Sequence, residues 1–144
     1  MDTPTEMEGN LLDRLNADLA AASFPELLGL RFVAASPNAV EARLTVTDIL
    51  LNGKGIMHGG AVMTLADTLG GFATRINLGE GQGTTTIESK TNFFRAARSG
   101  STLRARAEAL HKGKTTMVWQ TTIEDETGAK VAVTTQTQMI LTRK

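Results

Sequence analysis

Asn52, the run His58-Gly59-Gly60 and Asp67 stand close together in the chain and supply an amide, a glycine stretch and a carboxylate. A helix that begins at such glycines leaves backbone N–H groups unpaired beside a partial positive charge, and with no side chains in the way a carbonyl oxygen can approach and be polarised there. A carboxylate on the same segment offers a base or a nucleophile, and the amide can orient one of the reactants. The bland counterparts are a flexible capped loop and a surface aspartate, and the surrounding pattern separates the two readings.

Stepping outward from these residues, Val62, Leu65, Ala66, Leu69, Phe72, Ala73 and Ile76 trace one face of a helix over residues 60–77. Asp67 falls nearly opposite that stripe, with Thr64, Gly71 and Thr74. A solvated helix face carries Glu, Lys and Arg, yet the only charges in this segment are Asp67 and Arg75. The second face is therefore expected to be covered and Asp67 to sit in a restricted, partly buried setting. Gly70-Gly71 inside the helix costs about 1 kcal/mol per residue relative to alanine, so a close approach or room for a ligand is expected beside it.

Around this helix, Leu11, Leu12, Leu15, Leu19 and Ala22 recur at helical spacing and predict a short amphipathic helix over Asn10–Ala21, broken at Phe24-Pro25 with a further turn at Leu27–Gly29. Ser36-Pro37-Asn38 joins a hairpin of Arg31–Ala35 and Ala39–Val46. Residues 51–60 read as a loop. Of the 21 threonines, 14 lie within residues 84–142, and this β-branched stretch, punctuated at Ser99-Gly100, Lys112-Gly113-Lys114 and Glu126-Thr127-Gly128, predicts strands at about 83–95, 101–111, 115–125 and 129–142. The expected fold class is α+β: an antiparallel meander of consecutive hairpins with one long helix on its face.

Length and composition restrict the chemistry further. A chain of 144 residues suits one domain. Fifteen basic and fifteen acidic residues cancel, which argues against gripping nucleic acid through an overall basic surface. With no cysteine and two histidines there is no thiolate nucleophile, no disulfide framework and no Cys-type zinc site, and no metal or other cofactor is expected. The acidic start, MDTPTEMEGN, lacks the features of secretion or import signals, and no apolar run is long enough to span a membrane, so a soluble, cytoplasmic protein is expected.

The string from Asn52 through His58-Gly59-Gly60 to Asp67 resembles the signature of hotdog-fold acyl-CoA thioesterases, specifically the PaaI-type phenylacetate-pathway group together with the Arthrobacter-type 4-hydroxybenzoyl-CoA thioesterases. Thr91-Asn92-Phe93-Phe94-Arg95 and Lys112-Gly113-Lys114-Thr115-Thr116 resemble the same family, over roughly residues 27–142. The resemblance implies a tail and helix over 1–26 and a single hotdog domain over 27–144, in which a curved antiparallel sheet wraps the long helix. It implies homodimers joined sheet edge to sheet edge with active sites at the interface, and dimers that pair into homotetramers. Residue by residue, Asp67 becomes the nucleophile or general base, and Gly59 N–H the group that polarises the thioester carbonyl. Asn52 orients the carbonyl or the water from the partner chain, His58 has a structural or orienting role, and Thr86, with Thr85 beside it, takes the place of a water-orienting serine. The 4-hydroxybenzoyl enzymes carry Glu and Gln where this chain has Asp67 and Asn52, which argues against transferring their substrate.

The implied reaction is hydrolysis of an aryl- or medium-chain acyl-CoA to free acid and CoA, CoA being part of the substrate and not a cofactor. For its phosphates the implied ligands are Arg95, Arg98, Lys112 and Lys114, with the Thr115 hydroxyl, and Gly60 and Thr85 line the substrate side. Two other readings stay open: a hotdog hydratase or dehydratase, whose local contexts around His58 are absent, and a noncatalytic acyl-CoA binder. The neutral total hides an uneven distribution, since residues 90–114 carry seven bases against one acid.

Overall fold

The structure is a computed structural model that describes residues 1 and 3–143; Asp2 and Lys144, the one inside the expected tail and the other ending the expected domain, lie outside the described residues. The chain forms α1 (Pro4–Ala20), α2 (Ser23–Leu27), β1 (Arg31–Ser36), β2 (Ala39–Thr45), a 3-10 turn (Asp48–Leu50), α3 (Gly59–Arg75), β3 (Gln82–Phe93), β4 (Thr102–Lys112), β5 (Thr116–Glu124) and β6 (Lys130–Thr142). All six strands join one antiparallel sheet in the order β1-β2-β4-β5-β6-β3. Helix α3 touches β2, β3, β4, β5 and β6, so the sheet curves around it. Inward residues alternate along β5, where Met117, Trp119, Thr121 and Ile123 are buried against the helix.

The expected meander holds for β4, β5 and β6 and fails for β3, which lies beside β6 and not beside β4. The reason is that β2 already occupies one side of β4 over Ala39–Thr45, and β5 the other. The connection from Phe94 to Ser101 therefore crosses the end of the sheet, where Met57 N–H donates to Ala97 O at 2.8 Å and Ile56 bridges Arg98. This crossing ties the loop before α3 to the chain after β3.

Helix α1 starts six residues before the expected Asn10, because Thr3 and Glu6 form a capping box and Pro4 stands in the first turn, where its missing N–H costs nothing. Pro25 likewise falls in the first turn of α2, so Phe24-Pro25 does not break the chain but sits inside a helix of five residues. Thr74, expected beside Asp67, is instead fully buried: Trp119 Nε1–H donates to its hydroxyl oxygen at 2.8 Å, and that hydroxyl donates to Gly70 O at 2.9 Å.

The two edges of the sheet differ. Along β1, Asn16 of α1 donates from Nδ2 to Phe32 O and accepts from Phe32 N–H, both at 2.9 Å, so a side-chain amide takes the place of a neighbouring strand. The outer edge of β3 has no strand beside it among the described residues. An unpaired edge of this kind is a ready template for another chain.

Candidate active site

The loop leading into α3 is held by its own backbone. Asn52 N–H donates to Ile56 O at 2.8 Å, His58 N–H to Leu50 O at 2.7 Å, and Gly55 takes a left-handed φ of 76° that a side chain would strain. The Asn52 side-chain oxygen accepts Lys54 N–H at 2.8 Å and Ile56 N–H at 3.4 Å. With its oxygen committed to the turn, Asn52 offers Nδ2–H as its outward group, a donor suited to a carbonyl or water oxygen.

His58 is the N-cap of α3. Its Nδ1 accepts Gly60 N–H at 2.8 Å, and its backbone carbonyl accepts Ala61 N–H at 2.9 Å and Val62 N–H at 3.1 Å. With Nδ1 an acceptor, the ring proton of neutral His58 belongs on Nε2. Gly59 N–H has no hydrogen-bond partner among the described residues. The cap thus divides the two glycines: Gly60 N–H is occupied, and Gly59 N–H is the free donor at the positive end of the helix. A Cβ on Gly60 would lie 3.0 Å from His58 Nδ1, which accounts for glycine there, while the Phe93 ring lies 3.5 Å from where a Cβ on Gly59 would stand.

Two turns along α3, Asp67 Oδ1 accepts the Thr86 hydroxyl at 2.7 Å and Gln136 Nε2–H at 3.3 Å. Thr86 reaches it from β3 next to a bulge at Ile87 that shifts the register against β6. Thr85, the neighbouring candidate, pairs with Met139 and is exposed on the other side of the strand, so only Thr86 meets Asp67. Contrary to expectation, Asp67 is exposed in the single chain, and nothing lies within 4 Å of a Cβ built on Gly71. Gly70 meets the expected close approach: a Cβ there would run into the Gln136 amide.

Gly59 and Asp67 are eight positions apart on one helix, which at 1.5 Å per residue is about 12 Å. The cationic candidates also separate. Arg95 N–H donates to Val131 O, and Arg98 lies against Ile56, both at the Gly59 end. Lys112 Nζ donates to Pro37 O at 3.2 Å and to Asn77 Oδ1 at 3.4 Å beyond the far end of α3, and Lys114 and Thr115 are exposed in the hairpin that follows. One chain does not bring the two groups together.

A family profile described as the thioesterase superfamily matches residues 54–132, the stretch that holds the α3 N-terminus, Asp67 and Thr86. The chain belongs to this family. It is a thioester hydrolase with the hotdog fold. A mutant thioesterase of Pseudomonas aeruginosa is 30% identical and superposes with a TM-score of 0.85 over 92% of this chain and 94% of its own. The PaaI protein of the E. coli phenylacetic acid degradation operon is 26% identical with a TM-score of 0.76, over 90% of this chain and 96% of its own. A Streptococcus mutans protein bound to acetyl-CoA is 27% identical, with a TM-score of 0.74 over 80% and 90%.

Two side chains beside the candidate residues of this thioesterase carry no signal in the sequence. Gln136 and Gln138 on β6 are fully buried and touch Asp67 and Thr86. Around them β6 reads Thr134-Thr135-Gln136-Thr137-Gln138, polar in both alternating registers, so its pattern does not tell the inward face from the outward one.

Proposed function

We propose that the protein hydrolyses an acyl-CoA thioester to the free acid and CoA at a site shared between two copies of the chain. The observation that carries this reading is the spacing of Gly59 and Asp67. Reacting atoms must come within about 3–3.5 Å, so a donor and a carboxylate about 12 Å apart on one rigid helix cannot both serve one carbonyl. An antiparallel second copy removes the difficulty. If Gly59 of one helix faces Asp67 of the other, the residue facing its own copy is Met63, which is 39% exposed although apolar. The open edge of β3 is where the sheets would join, and the joined copy would cover the Asp67 face.

In this arrangement Gly59 N–H polarises the thioester carbonyl, and Asn52 Nδ2–H holds the carbonyl or the water. Asp67 of the other copy then acts in one of two ways. Either it attacks the carbonyl carbon and expels CoA thiolate, leaving a mixed anhydride that water hydrolyses to the free acid and the regenerated carboxylate, or it takes a proton from water as the water attacks. In either case the proton released by water goes to the departing thiolate. A cleft of about 440 Å³ opens beside His58 and Gly60, walled by Phe24, Leu27 and Leu28 and by Ile49, Leu50 and Leu51. Its apolar walls suit an aryl or medium-chain acyl group. Arg95 and Arg98 from one copy and the Lys114 hairpin from the other would meet the CoA phosphates, and acetyl-CoA on the streptococcal protein supports that substrate class.

The test is CoA-thiol release from phenylacetyl-, hydroxyphenylacetyl-, benzoyl- and C4–C14 acyl-CoAs. Turnover of at least one, falling by roughly 10²-fold or more in Asp67→Asn, is the expected result. Acyl-CoA binding without thiol release, or near-normal turnover by Asp67→Asn, would contradict the reading.

A further inference from the structure

Two glutamine side chains with no solvent exposure to speak of, 0% at Gln136 and 1% at Gln138, occupy inward positions of β6 where the sheet faces α3. Aliphatic side chains fill such positions without cost, whereas a buried amide must find partners or lose about 1–3 kcal/mol. Gln136 Oε1 has no partner among the described residues. The partners that these amides do find lead to the site.

The bonds run in one direction. The Thr84 hydroxyl lies 3.0 Å from both Gln138 Oε1 and Met139 O and has one proton for the two, while Gln138 Nε2–H donates to Thr86 Oγ1 at 2.6 Å. With that lone pair taken, the single Thr86 proton points to Asp67 Oδ1 at 2.7 Å. Gln136 Nε2–H reaches the same carboxylate oxygen at 3.3 Å, from a position that exists only because Gly70 has no side chain. Both donors fall on Oδ1, and Oδ2 accepts nothing from the described residues.

We infer that Gln138 and Gln136 are positioning residues: acting through Thr86 and directly, they tie down Asp67 Oδ1 and so select Oδ2 as the oxygen that attacks or takes the proton. The inference rests on Asp67 being the acting carboxylate. Freed from these donors the carboxylate can turn about its Cβ–Cγ bond, and Oδ2 loses its aim.

A double-mutant cycle tests this with the same acyl-CoA assay. Gln138→Met, close in volume and without the amide, should lower kcat roughly ten- to a hundred-fold with KM little changed, as expected for a misaimed group. In a Thr86→Val background the same change should cost less than about two-fold, because the contact through which Gln138 acts is already gone. Equal losses in both backgrounds, or no loss in either, would overturn the inference. Should Gln138→Met fail to fold, Thr84→Val in the same two backgrounds asks the same question from a less buried position. Asp67→Asn separates the premises. If it keeps turnover, the assignment of Asp67 falls; if it is inactive while Gln138→Met is normal, only the positioning role falls.

Discussion

His58 does work that another capping side chain could share. Its Nδ1 accepts Gly60 N–H and leaves Gly59 N–H free, which shapes the start of α3. His58→Ser keeps an acceptor at the cap. It should therefore retain most of the stability and activity, whereas His58→Ala should lower stability by about 1 kcal/mol, read as a shift in denaturant midpoint. Equal behaviour of the two variants would remove the capping role. At this scale Asn52, His58, Gly59, Asp67 and Thr86 can be picked out as candidates from sequence, because their types and spacing are local to one loop, one helix and one strand. What was not legible is long-range: Gln136 and Gln138 follow Asp67 by about half the chain length, and only folding brings Gln136 to Asp67 and Gln138 to Thr86. The separation of Lys112 from Arg95 was hidden for the same reason, since charge counted along a segment says nothing of which end of the sheet each residue occupies.

Among the elements, α1 decides which edge of the sheet stays open. The Asn16 amide satisfies both backbone groups of Phe32 on β1, and β3 is left without such a cover. Removing the amide in Asn16→Ala leaves a donor and an acceptor on β1 without their partner, a cost of roughly 1–3 kcal/mol. The expected outcome is a lower denaturant midpoint with unchanged oligomer size at low temperature. A variant that instead changes the oligomer would show that β1, not β3, is the joining edge. The helix–strand alternation and the approximate strand bounds could be read from periodicity and turn residues. The place of β3 could not. The eight residues from Phe94 to Ser101 suit a hairpin loop or a crossing equally, and the choice is made by which sides of β4 are already occupied.

For the whole molecule, each chain of the proposed dimer carries half of each of two shared sites. The free Gly59 donor and the Asp67 carboxylate are held firmly but apart, and the exposed face between them centres on Met63. Two copies with complementary defects examine this most directly. Asp67→Asn and Asn52→Ala, each expected to be nearly inactive alone, are co-expressed with different tags so that mixed dimers can be purified and assayed for thiol release. Purified mixed dimers should recover about half of wild-type activity, because one of their two sites inherits both intact halves and the other inherits both defects. Mixed dimers no more active than either variant alone would contradict a site shared between copies.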